Sequence, residues 1–564
     1  MLRLFRFLHG ALFILAVLVP IARLPAQEKE PVTQRLRGII DESQEWSGHV
    51  IITDDVTIQS GKVIVAAGTV VEFAQKEAGH NPCLTVGAAD RTGGELELLG
   101  TAEKPVVFRT MPDTNPGHLV VNVYSRLIPA EKPDRSTSQP AVLSRLPNDI
   151  SWQHVRLENL GYIATKHEGK QDVRLPEPAL AFYVLGDAHT VSLADCSFLG
   201  CTRLVARAAS GARITVAGNR FDQPRDRAAI EVFGREGESS AGPVVISRNT
   251  AAAAITVHGA GATIMENILV GPDAAVVVDQ DNSESAKITT NYIHNTTEED
   301  DGRYGLNCEN PAALIENNIV RGGSSCVWSG SRRMSGNVLI AAPKLSSKVV
   351  RVARTHQLVQ ALPAGAVFER NLLIGPAYSL LMPQPMLPQG SGSDSTETIV
   401  VRNNVFDGQS ESHRAVQLNS IGRPPTPVAV FNNVFLRVPT LVYSDSKGQT
   451  NLVYADHNAV APSAERAFDQ IEVAGVKKGA PGRGAKDVQA ADIAALRLSG
   501  PPTAPLPDFD ADILAGKLTV SALRQRLMSQ YRPAPDSPLA RAGRVSSGAG
   551  GASPSFIGAV EPGQ

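Results

Sequence analysis

Short apolar-x-apolar triplets recur along most of the chain, separated by polar, turn-rich stretches. The copies are Leu204-Val-Ala206, Ile230-Glu-Val232, Ile255-Thr-Val257, Val276-Val-Val278, Leu306-Asn-Cys308, Cys326-Val-Trp328, Val350-Arg-Val352, Val416-Gln-Leu418 and Leu441-Val-Tyr443. Alternation with a period of two predicts a strand with one face inward. A second pattern, asparagine then any residue then an apolar one, keeps phase with the first. It occurs at Asn219, Asn267, Asn291, Asn318, Asn337, Asn371, Asn404, Asn433 and Asn458, with a weaker copy at Asn249. Successive spacings are 30, 18, 24, 27, 19, 34, 33, 29 and 25 residues. A third short strand fits between the two motifs, as in Lys287–Thr290 and Ala313–Glu316. Each coil is therefore predicted as strand, loop, strand, Asn turn, strand, loop. A fixed motif at variable spacing marks a solenoid whose coils carry loops of different length. Asparagine suits the bend because it tolerates left-handed backbone, and stacked amides are expected to form a ladder along the axis.

On these motifs the chain resembles the right-handed parallel β-helix superfamily, which includes pectate lyases, over about Trp46 to Val460. The resemblance implies an all-β fold: a right-handed, single-stranded parallel β-helix with three short strands per coil. It places the apolar triplets in the first parallel sheet and the asparagines in the tight turn between the second and third strands. The expected organisation is a linker at 27–45, the β-helix at 46–460 with a long Pro- and Ser-rich excursion at about 112–149, and a capping tail at 461–564. Within the tail, Asp487–Leu498 and Thr519–Gln530 read as helices.

The first residues add a location. Arg3 and Arg6 precede an apolar run, Ala11–Ala22, broken by Pro20 and closed by the small Ala26. This is the layout of a secretory signal peptide over 1–26, so a secreted, periplasmic or cell-surface protein is expected. No later apolar run is long enough to span a bilayer, and the mature chain is expected to be a soluble monomer. Lys+Arg 54 against Asp+Glu 56 argues against a nucleic-acid binder, which would show a basic stripe. Hydrophobic residues at 43% exclude wholesale disorder. Aromatics at 5% suit a narrow stacked core but lower the prospect of a sugar-binding platform. Five cysteines, Cys83, Cys196, Cys201, Cys308 and Cys326, lack zinc-site spacing. Cys308 and Cys326 fall two residues out of step, near 8 Å by the sheet diagonal, so buried thiols are expected. A one-step change of register would reverse that.

Candidate chemistry follows from the outward positions. Equivalent residues on neighbouring coils lie about 4.8 Å apart. The residue after each triplet gives the column Arg207, Phe233, His258, Asp279, Glu309, Ser329, Ala353, and the central residue gives Val205, Glu231, Thr256, Val277, Asn307, Val327, Arg351. His258, Asp279 and Glu309 thus form a line on three successive coils, able to supply a base, an acid of raised pKa or a cation site. Glu231, Thr256 and Asn307 flank them. Arg351, or Arg303 from the preceding loop, would pair substrate carboxylates. Two carboxylates about 5 Å apart suit retaining glycoside hydrolysis, wider ones inversion. The acidic loop Asn295–Gly302 could bind Ca²⁺ through oxygen ligands, joined by Asp279 and Asp281. Asp508-Phe-Asp510-Ala-Asp512 starts like a calcium loop but has Ile513 where Gly is needed, so it reads as a loop before a helix. The resemblance implies that the cleft over the first sheet acts on polysaccharide. No lyase- or polygalacturonase-specific motif accompanies it. Two functions therefore stand: a lyase or glycoside hydrolase acting on an acidic polysaccharide, or a non-catalytic carbohydrate-binding or structural solenoid.

Overall fold

The computed structural model describes residues 33–562 except 78, 88–93, 124–125, 128–144, 147–148, 169–170, 185–188, 209–210, 235–242, 280–285, 298–303, 324, 343–354, 361, 384–396, 410–413, 419–425, 445–451, 463–465, 470–483, 503–505, 546, 549–550 and 553–555. The expected signal peptide, the acids Glu298–Asp301, Asp281, Arg303 and Arg351 lie outside them.

The chain is a right-handed parallel β-helix. One coil shows the construction. Ala254–His258 lies in the first sheet, Ala262–Met265 in the second and Ile268–Gly271 in the third. The next coil repeats it with Val276–Val278, Lys287–Thr289 and Tyr292–Asn295, each pairing parallel with its counterpart. The second sheet alone has 12 strands. Its order follows the chain, which only repeated coiling in one sense produces. Apolar triplets put alternate side chains inward: Ile255, Val257, Val276, Leu306 and Cys308 are fully buried. Aromatic residues on successive coils stack along the interior, as Phe406 on Phe435 at 5.1 Å.

Among the described residues the first paired strand is Thr33–Ile40, ahead of Trp46. The strand after it, His49–Ile58, pairs with Val70–Phe73 through its first half and Cys83–Val86 through its second, turning a corner between the third and first sheets. His118–Val123, inside the expected excursion, is a first-sheet strand.

The asparagine ladder exists, but the left-handed residue is the one before each asparagine. Arg248, Glu266, Thr290, Asn317, Arg370, Asn403, Asn432 and His457 all have φ between 52° and 60°. The asparagine itself is buried and bonds coil to coil. Asn291 Nδ2 donates to Asn318 Oδ1 at 2.9 Å and to the Ile264 carbonyl at 2.9 Å, while its own Oδ1 accepts from the Asn267 backbone and side-chain amides at 3.0 Å each. The ladder runs from Asn219 to Asn458 and ends on Asp487, whose carboxylate accepts from the Asn458 backbone N–H. That rung explains why Asp487–Leu498 is not the expected helix. Val488–Gln489 adds a strand to the third sheet instead, and a 3₁₀ turn follows at Ala494–Leu496.

The second expected helix forms as Val520–Gln530, with Thr519 Oγ1 accepting from the Ala522 N–H at 3.2 Å. A shorter helix, Asp510–Leu514, replaces the expected loop. The tail lies along the outside of the third sheet. Leu496, Phe509, Ile513, Leu523, Leu527 and Tyr531 pack on Tyr292, Ile319, Val338, Leu372, Val405 and Val434. Among the described residues no helix is long and apolar enough to cross a membrane.

Candidate functional site

The first sheet sets the site. Register pairs Arg207 with Phe233 and Phe233 with His258. Asp279 and Glu309 continue the line through backbone bonds to Val257 and Val278 at 3.2 and 2.9 Å. The neighbouring column is Glu231, Thr256, Val277 and Asn307. Both columns agree with the expected order as far as this coil.

Beyond it the register moves by one residue. Leu306 pairs with Val327 and Asn307 with Trp328, so Trp328, not Val327, joins the outward column and Ser329 stands opposite Cys308, buried. Cys326 also remains buried because its Sγ bonds the Gly322 and Ile340 carbonyls, so this strand hides two consecutive side chains. In the following coil the strand is Thr355–Gln360, and Gln360 occupies the place beside Trp328 expected for Arg351. All five cysteines are free. Burial pushes the thiols of Cys196, Cys308 and Cys326 up to about 12, which removes them as nucleophiles.

His258 is the centre of an ion-pair chain. Its Nδ1 contacts Asp279 Oδ2. Its Nε2 faces Glu231 Oε1 at 3.4 Å, an ion-pair distance without hydrogen-bond alignment. Glu231 in turn meets Arg203 at 2.8 Å, and Arg203 meets Asp226 at 3.5 Å. The carboxylates raise His258 to about 9, first through the bond to Asp279 and then through Glu231, against a smaller lowering by burial. The imidazole is therefore a cation at neutral pH. As such it offers a proton but no lone pair, which disfavours the base and cation-ligand roles. Burial pushes the Asp226 carboxyl up despite Arg203 nearby.

The ring of His258 stacks on Phe233 at 4.6 Å and 12°. Arg207 lies over Phe233 and Tyr183 at 5.2 and 5.7 Å. On the other side, Tyr304 and Trp328 meet at 5.4 Å, and further along Arg414 lies between Tyr378 and Tyr443. Aromatics are scarce in the chain, yet Tyr183, Phe233, Tyr304, Trp328, Tyr378 and Tyr443 all lie on strands of this sheet. Composition hides that, whereas the triplet columns carry part of the signal, since Phe233 already stood in one of them. Among the described residues, several buried polar atoms here make no hydrogen bond; those of Arg203, Asp226, Glu231 and His258 lie in ion pairs, whereas Asn307 Oδ1 and Trp328 Nε1, on adjacent strands, have neither. Arg203 and Asp226 escaped the sequence reading because they sit outside the triplets, in the connections that enter the strands.

Among the described residues, two groups have metal-like donor sets, Asp54–Asp55–His80 and His294–Asp508–Asp510. In the second, Arg321 lies 3.5 Å from Asp508 and supplies the positive charge that a metal would.

No family model matches the chain, and no curated protein does. Among solved structures it is similar to a pectate lyase, Pel9A, at 12% identity and a TM-score of 0.26, over 90% of this chain and 88% of that one.

Proposed function

We propose that the first-sheet face around His258 binds an acidic polysaccharide and cleaves it by lyase or glycoside-hydrolase chemistry. The observation that carries this reading is a charged imidazole on an outward sheet face beside two orphaned buried polar atoms. Among the described residues an acceptor, Asn307 Oδ1, and a donor, Trp328 Nε1, stand unmatched on neighbouring strands. Leaving such groups unpaired costs about 1–3 kcal/mol each, which sugar hydroxyls would relieve. Tyr183 and Trp328 supply ring faces for the sugar, while both faces of Phe233 are taken by Arg207 and His258. In this reading His258 donates a proton to the leaving oxygen, Asp279 and Glu231 hold it charged and oriented, and Glu309 is the base or nucleophile. Thr256 and Asn307 contact hydroxyls. Arg303 and Arg351 remain proposals for the substrate carboxylates. Export by residues 1–26 belongs to the same proposal.

A second reading is favoured by the self-contained charges. Asp226, Arg203, Glu231, His258 and Asp279, in order of contact, alternate in sign, as a structural network on a non-catalytic binding face would. A panel of uronate polysaccharides separates the two, read by the ultraviolet absorbance of unsaturated products and by reducing ends. Turnover that falls at least about a hundredfold in His258→Ala and Glu309→Ala supports catalysis. Binding without turnover supports the second reading, and turnover unchanged in both variants sinks the assigned site.

A further inference from the structure

A second site lies on a different side of the solenoid. The helix Val520–Gln530 runs over the tight turns that precede Asn318, Asn337 and Asn371, leaving a cavity of about 490 Å³. Its lining includes Arg370, Arg524 and Arg532 against one acid, Glu561. Among the described residues no ion pair joins any of these arginines to a carboxylate. Of the three, Arg370 and Arg532 are exposed and Arg524 is half-buried, and arginines buried elsewhere in the chain differ from Arg524. Arg402 pairs with Glu369 at 2.8 Å and Arg437 with Asp407. The more exposed Arg225 donates to two carbonyls, Leu160 and Gly161.

Arg524 is the informative one. Its Nε donates to the Gly336 carbonyl, and its Nη2 lies where a Cβ on residue 336 would be, at 2.7 Å. Gly336, at φ 66°, thus admits the guanidinium to the turn. Burial pushes the Arg524 pKa down with no opposing charge to restore it. A half-buried cation without a counter-ion is costly, and a guanidinium held at one edge leaves its other N–H donors free for a planar or tetrahedral oxyanion. Ser521, Gln525 and Ser529 on the helix add polar atoms to the lining.

We infer that this cavity binds a small oxyanion group, a carboxylate or a phosphate, through Arg524 and Arg370. The inference is independent of the first-sheet reading, because the cavity touches none of its residues. The full chain is titrated calorimetrically with inorganic phosphate and, separately, with digalacturonate, up to about 10 mM. One of the two probes is expected to saturate, and which one does identifies the source of the group. Affinity should fall about tenfold or more in Arg524→Gln and in Arg370→Glu. Arg370 is exposed, so its variant tests binding even where Arg524→Gln destabilises the chain. His258→Ala should leave this binding unchanged, which separates it from any uronate bound on the first sheet. No saturation by either probe, or saturation that survives Arg370→Glu, overturns the inference.

Discussion

At the residue scale, His258 and the ladder asparagines make opposite use of polar side chains. His258 has its pKa raised from 6.5 to about 9 in the folded chain. A raised folded value means its stabilising contribution is complete below pH 6.5 and is lost as pH rises through about 9. Melting temperature should therefore decline across that window, and His258→Gln should flatten the decline. A variant that melts along the same pH curve as the parent would show the ion pairs to be absent in solution. The ladder depends on neutrality instead. Each interior asparagine must accept and donate, as Asn318 does toward Asn291 and Asn337. Asn318→Ala strands buried amides and should cost about 3 kcal/mol in denaturant unfolding. Asn318→Asp keeps the acceptor, loses the donor and buries a charge, so it should cost at least as much. Asp487 ends the ladder, where its carboxylate serves as acceptor for the Asn458 N–H, so Asp487→Asn should be nearly neutral.

At the element scale, the strands were legible in the sequence because alternation in a parallel coil has few readings, and the His258, Asp279 and Glu309 line came with them. The register failed where the pattern became ambiguous. Cys326-Val-Trp328 offers apolar side chains at three consecutive positions, and the structure buries Cys326 and Val327 together while turning Trp328 outward. The turns were half legible. Asparagine was placed correctly in sequence, but its amide forms the ladder while residues as unsuited to left-handed backbone as Glu266 and Thr290 make the bend. Such positions cost about 1–2 kcal/mol each, and the ladder bonds offset them. The docking of the tail could not be read, since Asp510 meets Tyr292 and His294 across more than 200 residues of chain. Burial pushes the Asp510 carboxyl up, but the bonds from His294 and Tyr292 outweigh it and hold it below its ordinary 3.8. A depressed folded value stabilises above the ordinary carboxylate range and is lost as pH falls through the lower one. Hydrogen exchange in the Asp510–Leu514 helix should accelerate in acid ahead of the coils beneath it, and Asp510→Asn should bring that acceleration to neutral pH. Thr519→Ala, which removes the N-cap of the longer helix, should cost about 1 kcal/mol.

At the scale of the whole molecule, a solenoid distributes stability along its axis, since each coil touches only its neighbours. The tail breaks that rule. It leaves the last coil, returns along the third sheet and reaches the strand Ile268–Gly271, tying together coils otherwise coupled through a chain of intermediates. Its bonds are not confined to the helices. Asn403 and Asn432 donate from the tight turns to the Phe556 and Arg544 carbonyls, and Tyr531 bonds Asp407, which is fully buried beside Arg437. The third-sheet face beneath is accordingly apolar, with Tyr292, Ile319, Val338, Leu372, Val405 and Val434 all essentially inaccessible. Full burial of each such side chain contributes about 1.5–3 kcal/mol. Ending the chain after Gln489 would expose this stripe along several coils, an apolar patch of the kind that drives association. The truncated chain should retain its strand content, because the coils and the ladder through Asp487 remain. It should self-associate in light scattering and bind a hydrophobic dye, and its third-sheet amides should exchange faster while those of the first sheet around His258 do not. A truncated chain that stays monomeric with an unchanged melting temperature would show the tail to be an ornament on a self-sufficient solenoid. The expected result makes it the element that lets one face of a sheet be apolar while the face carrying His258 stays open to water.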